Sequence, residues 1–318
     1  MIARRLALAL PLALPSGRAS AQGGGFGQRP IRLIVPRAPG GGSDILARTL
    51  APSLSAELRQ TIVVENRPDA TAIIGAEHVA RSAPDGHTIY LADNSFYFNP
   101  SINPRLPYDT INDFSGITMM AHAPVVLIIG RQVQATNLRE LIALAKANPG
   151  RLSYASGGVG ASTHFAGVLL ALRAGIELIH VPYRSSGPAL TALMSGEVTM
   201  NFGGFAAAGE LIRAGTVRAI AKTTEGVDPS IPTFEAAGLP GVDVASLWGL
   251  HAPAGTPLPL RQTIRDAVNK VMEDPELRAR LNQMGYQPIN NTPEEHDAQT
   301  RAIVQQWVEI GRRVNLHQ

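Results

Sequence analysis

The stretch from Ile31 to Leu58 most constrains what this chain can fold into, because it joins a strand pattern to a helix pattern through glycine. Residues 31 to 35 form an apolar run rich in β-branched side chains, which is typical of a buried strand. From position 46, leucine recurs at every fourth residue, as on the buried face of a helix. Ser43 and Asp44 precede this pattern and are residue types that favour helix N-caps. The turn itself contains Gly40, Gly41 and Gly42.

A glycine turn that leads into a helix suits an anionic ligand, because it aims backbone N–H groups and the positive end of the helix at one point. Many α/β proteins use the same connection without any ligand, and both interpretations stay open at this point. The turn is not a nucleotide P-loop, because no Gly-Lys pair occurs in the chain. It is not a dinucleotide fingerprint either, because Ile45 stands where the last glycine would be.

The first 21 residues have the pattern of a secretory signal peptide. Arg4 and Arg5 are followed by an apolar run over residues 6–14 and by the small residues Ala19-Ser20-Ala21. The alternative is a disordered tail. We expect cleavage after Ala21 and a periplasmic mature protein. The removed segment carries three arginines and no acid, so the formal charge of +3 falls to about zero. The mature chain therefore gives no sign of nucleic-acid binding.

The 318 residues suffice for two domains, each with its own core. The chain contains no cysteine, which excludes disulfides and thiolate chemistry. A second strand, glycine turn and helix pattern, Leu152 to Ala174, repeats the opening one inside a complete strand–helix alternation. The pattern predicts mostly parallel sheets. We expect the first domain to take residues 28–121 and 247–318, and the second to take residues 122–246.

Several local expectations follow from the same pass. Residues 94–109, rich in Asn and Pro, are predicted to be a loop. Ile117–Ala121 and Val125–Ile129 are predicted to be separate strands, and the C-terminal part is predicted to contain three helices. Two glycine turns, one in each half, predict helix N-termini that face a shared cleft beyond the carboxyl ends of the strands.

Six motifs then resemble those of the Bug family, the extracytoplasmic substrate-binding proteins of tripartite tricarboxylate transporters. They occur in the family's order and cover nearly all of the mature chain. The resemblance implies a type II periplasmic binding protein, with two α/β domains that close around a small carboxylate. The motifs are Pro36–Asp44, Glu65–Pro68, Ala83–Gly86, Leu106–Asp109, His180–Arg184 and Pro232–Glu235.

By matching position, the resemblance also implies a set of ligand-facing residues. Four departures from the family pattern accompany it: Arg37 replaces an aromatic residue, residues 69–72 replace a glycine-rich segment, Gly203 replaces an aspartate, and Gly157-Gly158 is more flexible than usual. The implied set is Gly40, Gly41, Gly42, Ser43, Ser156, Gly157, Gly158, Ser162, Thr163, Tyr183 and Ser185, to which we add Arg37 and Gly203.

Arg37 follows the first strand, where residues of an open sheet face the ligand crevice. Its five N–H donors could grip a carboxylate through two parallel bonds. With the aspartate absent at Gly203, we expect Arg37 to read a second acidic group on the ligand. The alternative is that Arg37 turns outward into solvent.

Other polar residues favour structural roles. Ser162 and His164 point in different directions on a helix, and no G-x-S-x-G elbow occurs. The run 294–297 lacks the spacing of a metal-binding helix and is interpreted as a solvated helix start. Asp44 is expected to cap a helix rather than hold a cation, Asn66 and Arg67 to brace the first glycine turn, and Trp248 and Trp307 to pack in the core or between domains.

We therefore expect a monomeric, non-catalytic solute-binding protein without cofactor or metal. Its partners would be a small carboxylate and either the subunits of a tripartite tricarboxylate transporter or a sensor kinase. A secreted α/β hydrolase and a binding protein for an uncharged or cationic ligand are the alternatives.

Overall fold

The structure is a computed structural model that describes residues 29–69 and 71–314, with side chains described up to residue 309. The described residues form a mixed α/β fold. The strands are β1 (Ile31–Val35), β2 (Ile62–Asn66), β3 (Thr88–Ala92), β4 (Phe114–Gly130), β5 (Ser153–Ser156), β6 (Ile179–Pro182), β7 (Met200–Gly204), β8 (Val217–Lys222), β9 (Ala245–Pro253) and β10 (Gln287–Pro288). The helices are α1 (Gly42–Leu58), α2 (Ile73–Ala80), α3 (Asn94–Ile102), α4 (Leu138–Ala147), α5 (Ser162–Ala174), α6 (Ser186–Ser195), α7 (Phe205–Arg213), α8 (Leu258–Glu273), α9 (Pro275–Gln283) and α10 (Pro293–Val314).

The strands form one curled sheet with the order β2-β1-β3-β9-β4-β7-β5-β6, and β8 and β10 also pair with β4. Up to Pro124, β4 pairs with β9, and from Val125 it pairs with β7 and β8. This change of partners divides the sheet in two. We call β1, β2, β3 and the part of β4 paired with β9 the first half-sheet, and β5–β8 with the end of β4 the second half-sheet.

Alternating side chains give each half-sheet two buried faces. On β1, Leu33 and Val35 pack with α1, whereas Ile34 belongs to the aromatic cluster under α3 and α10. On β4, Leu127 faces α4 and α5, whereas Ile128 faces α6 and α7. Because consecutive strand residues point to opposite faces, helices cover both sides of each half-sheet.

Within each half-sheet the strands beside the glycine turns are parallel, as the sequence predicts. β1 pairs in parallel with β2 and β3, and β5 pairs in parallel with β6 and β7. The two central strands differ, because β4 and β9 run antiparallel to each other and to their neighbours β7 and β3. β4 continues from one half-sheet into the other, and β9 begins opposite Pro124, where β4 changes partners.

Two local predictions are wrong. The expected loop over residues 94–109 contains helix α3, which begins where Asp93 accepts a hydrogen bond from the Ser95 amide. Burial of Phe96, Tyr97 and Phe98 outweighs the poor helix propensity of the surrounding Asn and Pro residues. The two strands expected at 117–121 and 125–129 are one continuous strand, β4. Pro124 does not interrupt it, because this proline lies where β4 changes partners from β9 to β7 and β8, a position at which a missing N–H donor is tolerated.

The strand, glycine turn and helix predicted over Leu152 to Ala174 form β5 and α5. α5 and its αL cap at Gly175 lie where the sequence places them, and the three C-terminal helices are present. The predicted signal peptide, residues 1–21, lies outside the described residues. Among the residues that the structure describes, no helix has the length and hydropathy needed to cross a membrane.

Candidate functional site

Five helices begin around one cavity between the two half-sheets. Three of the N-termini, those of α5, α6 and α7, belong to the second half-sheet, and those of α1 and α3 belong to the first. The cavity has a volume of about 50 Å³. Its lining residues are Arg37, Gly41, Gly42, Ser43, Asp93, Asn94, Gly157, Ala161, Ser162, Thr163, Ser185, Ser186, Gly204, Ser246 and Trp248.

Four of these N-termini have no side-chain cap in the described part of the chain. The N-cap residues of α1, α5, α6 and α7 are Gly41, Ala161, Ser185 and Gly204, and none of their side chains accepts a capping hydrogen bond. The first N–H groups of a helix have no partner within the helix, so these termini present donors and positive dipole ends to the cavity. The arrangement suits a small anion.

Ser185 adds a hydroxyl donor to the same place. It is 1% exposed, and its Oγ has no hydrogen-bond partner among the described residues. A Cβ atom added to Gly41 would lie 2.8 Å from the Ser185 Cβ. The first glycine turn and the start of α6 therefore meet across the cavity with no room for a side chain between them.

The first turn is held by side chains behind it. The expectation that Asp44 caps the helix is wrong, because the N-cap of α1 is Gly41. Asp44 lies in the first turn of α1, where its Oδ2 accepts from the Gly40 amide at 3.0 Å. Asn66 donates to Asp44 Oδ1 and to the Arg37 carbonyl, both at 2.9 Å. The predicted bracing role of Asn66 is confirmed. Arg67 contributes through its backbone, because its amide donates to the Val35 carbonyl at 2.8 Å.

Trp248 forms the wall of the cavity beside the first turn. Its Nε1 donates to Ser43 Oγ at 2.9 Å, and a Cβ atom on Gly42 would lie 3.1 Å from its ring. Tyr286 donates to the Gly42 carbonyl at 2.7 Å. These contacts fix the backbone of the turn, so its amides keep their direction.

Arg37 is buried, with 4% of its surface exposed, so the alternative of a solvent-facing side chain is wrong. Its Nε donates to Asp93 Oδ2 at 2.6 Å, and its Nη1 donates to the Gly157 carbonyl at 2.8 Å. Burial alone would lower the pKa of Arg37, but the Asp93 carboxylate outweighs that effect and raises it above its ordinary value. Asp93 thus offsets the charge that Arg37 brings to the cavity.

The second glycine turn is held by α5 and by a histidine stack. The Gly157 amide donates to Thr163 Oγ1 at 2.9 Å. Behind the turn, His180 stacks on His164 at 4.2 Å and on Tyr154 at 4.8 Å, and its Nε2 lies 2.7 Å from Ser156 Oγ. Burial lowers the pKa of His164 to about 4 and, together with the charge of His164, that of His180 to about 3.

The structure brings eight of the thirteen expected residues to the cavity wall: Arg37, Gly41, Gly42, Ser43, Gly157, Ser162, Thr163 and Ser185. The other five lie outside the lining. Gly40 and Gly158 have positive φ angles of 79° and 131°, so they shape the turns. Ser156 is buried behind the second turn, Tyr183 donates to Glu197 at 2.7 Å, and Gly204 lines the cavity in place of Gly203.

Sequence reasoning missed most of the rest of the wall. Asp93 and Asn94 stand at the start of a helix that the composition concealed, and Gly204 is the N-cap of α7. Ser246 comes from β9, and its Oγ lies 2.7 Å from Ser162 Oγ. The aspartate that ends an apolar strand was the available signal for the site at Asp93.

Neither catalytic nor metal-binding geometry forms at the expected residues. Ser162 and His164 have different partners, and the Ser156–His180 pair is closed off because Ser156 is 0% exposed. The solvated helix start expected at residues 294–297 is wrong for His296, which is 0% exposed. Within residues 29–69 and 71–314, no group of three His, Cys, Asp or Glu side chains could hold a metal ion.

The stacked histidines predict an acid-sensitive fold. Histidine in the unfolded chain has a pKa of about 6.5. Below that pH, His164 and His180 bind protons in the unfolded chain but stay neutral in the folded protein, so acid favours unfolding. We expect the melting temperature to fall as the pH decreases from 7 toward 4. His180→Asn removes one of these groups and should reduce the slope over that range. Equal slopes for His180→Asn and the wild type, measured by scanning calorimetry, would contradict this prediction.

Known proteins are similar to this chain in both sequence and fold. Residues 46–316 match the family described as "Tripartite tricarboxylate transporter family receptor". Among solved structures, the periplasmic binding protein BugD is 30% identical, covers 92% of this chain and 99% of its own, and superposes with a TM-score of 0.87.

Two further structures contain carboxylates. R. palustris Rpa4515 with adipate is 28% identical, with a TM-score of 0.85, over 89% of this chain and 96% of its own. MatC from Rhodopseudomonas palustris with bound malate is 28% identical, with a TM-score of 0.81, over 89% of this chain and 99% of its own. The family and these neighbours are binding proteins and not enzymes. The chain therefore belongs to the tripartite tricarboxylate transporter receptor family, to which the Bug proteins are close in fold and sequence, and it is a solute-binding protein of the type II periplasmic fold.

Proposed function

We propose that the cavity between the half-sheets binds a small organic carboxylate for delivery to a membrane transporter. The observation that carries this proposal is made on the described residues: four helix N-termini without side-chain caps converge at one cavity with the Oγ of Ser185, which is 1% exposed and has no hydrogen-bond partner among those residues. A carboxylate would replace the water that these donors otherwise need. The malate and adipate bound by related proteins support this ligand class.

The charge balance of the wall favours recognition by dipoles. Arg37 and Asp93 form the ion pair of the lining, and their charges offset each other. Backbone amides and hydroxyls then provide the attraction for the anion, as in other sites built on helix N-termini. Such a site binds the carboxylate group, and the rest of the ligand would contact Trp248 and the small side chains of the wall.

We propose that the two half-sheets close on the ligand. The first domain would take residues 28–121 and 247–318, and the second would take residues 122–246. Support comes from β4, which runs through both, and from β9, which begins opposite Pro124 of β4. Helices α8 and α10 pack on α1 and α3 of the first half-sheet. Closure would bring Gly41 and Ser185 together around the carboxylate.

The proposed partners are the membrane subunits of a tripartite tricarboxylate transporter, with a sensor kinase as the alternative, and the binding protein would act as a monomer.

We propose that a signal peptide is removed after Ala21. N-terminal sequencing of the protein from a periplasmic extract should give Gln22 first, whereas Met1 on that protein would contradict the cleavage.

A thermal-shift screen tests the ligand class. Because a ligand that binds only the folded state raises the melting temperature, we expect shifts with small carboxylates and none with their amides. Ser185→Ala should weaken binding of the best carboxylate by about 1.5–3 kcal/mol, the range for a hydrogen bond to a charged group. Ser195→Ala, at the other end of α6, is the matched control. Shifts with uncharged or cationic compounds alone would overturn the proposal.

Gly41→Ala tests closure at the first turn. The φ of −83° tolerates alanine, but its Cβ would lie 2.8 Å from the Ser185 Cβ across the cavity. We expect at least a tenfold loss of carboxylate affinity in calorimetry and little change in the melting temperature of the free protein. Gly75→Ala, on α2 and outside the cavity lining, is the control, because its added Cβ would lie 3.4 Å from the nearest atom, an ordinary van der Waals contact. Normal affinity in Gly41→Ala would exclude the first turn from the site.

A further inference from the structure

We propose that Arg37 and Asp93 form a positioning pair that holds the second glycine turn against the first half-sheet, and that Arg37 reads no charge on the ligand. The inference deepens the proposed carboxylate site and rests on it for the ligand and for closure. The expected aromatic at this position is replaced by a side chain that joins the two halves of the cleft.

The ion pair is built on elements of the first half-sheet. Arg37 follows β1, and Asp93 follows β3 and caps α3 by accepting from the Ser95 amide at 2.9 Å. Arg37 reaches Asp93 with two nitrogens, Nε at 2.6 Å and Nη2 at 3.4 Å, and Nη2 also donates to Ser95 Oγ. Both charges are buried, so each requires the other.

Two bonds cross the cleft, one from Arg37 and one from Ser95, which the ion pair contacts. Arg37 Nη1 donates to the Gly157 carbonyl at 2.8 Å, and Ser95 Oγ donates to the Val159 carbonyl at 3.3 Å. Gly157 and Val159 belong to the turn between β5 and α5, on the second half-sheet. The cluster thus grips the carbonyl side of the second glycine turn, while Thr163 holds the Gly157 amide from behind.

The geometry assigns the guanidinium to protein acceptors. Its planar fork matches one carboxylate and one carbonyl at fixed angles, which an ammonium cannot reproduce. Since Asp93 offsets the charge, a second carboxylate on the ligand would find no net positive side chain there. Arg37 therefore acts on affinity through the position of the second turn, and its loss should weaken all carboxylates by a similar factor.

The bonds to Gly157 and Val159 also bias the protein toward its closed arrangement. A contact made only when the two halves are together shifts the population toward that state before any ligand binds. Breaking the contact should open the free protein and lower the affinity for every ligand that needs the closed form.

The matched pair of double variants uses two clusters with the same chemistry. Arg37→Met/Asp93→Asn removes both charges, and the side-chain amide oxygen introduced by Asp93→Asn can still cap α3. The control is Arg261→Met/Asp297→Asn, because Arg261 likewise bonds an aspartate at 3.1 Å and a glycine carbonyl, Gly116, at 2.8 Å, all within the first half-sheet and its helices.

Distances between spin labels report the arrangement of the halves without any ligand. The chain has no cysteine, so labels at Ala147→Cys on α4 and Ala279→Cys on α9, both exposed, are unique. We expect Arg37→Met/Asp93→Asn to shift the distance distribution of the free protein relative to the wild type, and the control to leave it unchanged. An unchanged distribution in the first variant would overturn the positioning role.

Calorimetry with malate and with 3-hydroxybutyrate, in which a methyl group replaces one carboxylate, tests the reading of charge. We expect Arg37→Met/Asp93→Asn to lose affinity for both by the same factor, about tenfold. A larger loss for malate would mean that Arg37 reads the second carboxylate and would overturn the inference. If the wild type binds neither of them and no other small carboxylate shifts its melting temperature, the proposed function fails, while the label distances still decide the positioning role.

Arg37→Lys keeps the fold testable if the double variant does not fold. Lysine retains a cation for Asp93 but cannot hold Asp93 and the Gly157 carbonyl in one planar fork. The expected result is again a shifted distance distribution with equal affinity losses for malate and 3-hydroxybutyrate. A wild-type distribution in Arg37→Lys would contradict the role of the cross-cleft bond.

Discussion

The site depends on one constraint: helices that follow parallel strands begin at the same edge of the sheet. β1 and β3 send α1 and α3 to one edge of the first half-sheet, and β5, β6 and β7 send α5, α6 and α7 to one edge of the second. Because the two edges face each other, five helix N-termini meet at one cavity. The electrostatic character of the cleft follows from chain direction before any side chain is considered.

The antiparallel strands β4 and β9 turn this local rule into a two-sided site. A parallel sheet alone would place all N-termini on one wall, but β4 changes partners at Pro124 and carries the chain into a second half-sheet. Ser246 on β9 reaches Ser162 on α5, and Asn94 on α3 accepts from the Leu247 amide at 2.8 Å. These bonds place the start of β9 beside the cavity, in contact with helices from both half-sheets.

Local pattern sufficed for the parts of the fold that local chemistry decides. The glycine turns, α5 with Gly175, and the strand β1 follow from spacing and residue type. The helix α3 does not, because its formation depends on burial of Phe96 and Phe98 against other elements. The sequence alone also could not distinguish Ser185 from Tyr183 as a cavity residue. Both lie in one short segment, and only the packing of α6 against the first turn shows that Ser185 faces the cavity.

Arg37 illustrates how a charged residue can occupy a ligand cleft without serving the ligand directly. An unpaired guanidinium at 4% exposure would be costly, and Asp93 removes that cost while its helix cap fixes the carboxylate in place. The resulting pair is neutral as a whole but rigid in direction, and it ends on the carbonyl of the opposite turn. In the proposed carboxylate site, attraction of the anion is left to backbone dipoles, and it depends on how closely the two turns approach. Under our proposal the same ion pair therefore sets both the position of the second turn and the affinity, although neither of its charges needs to contact the ligand.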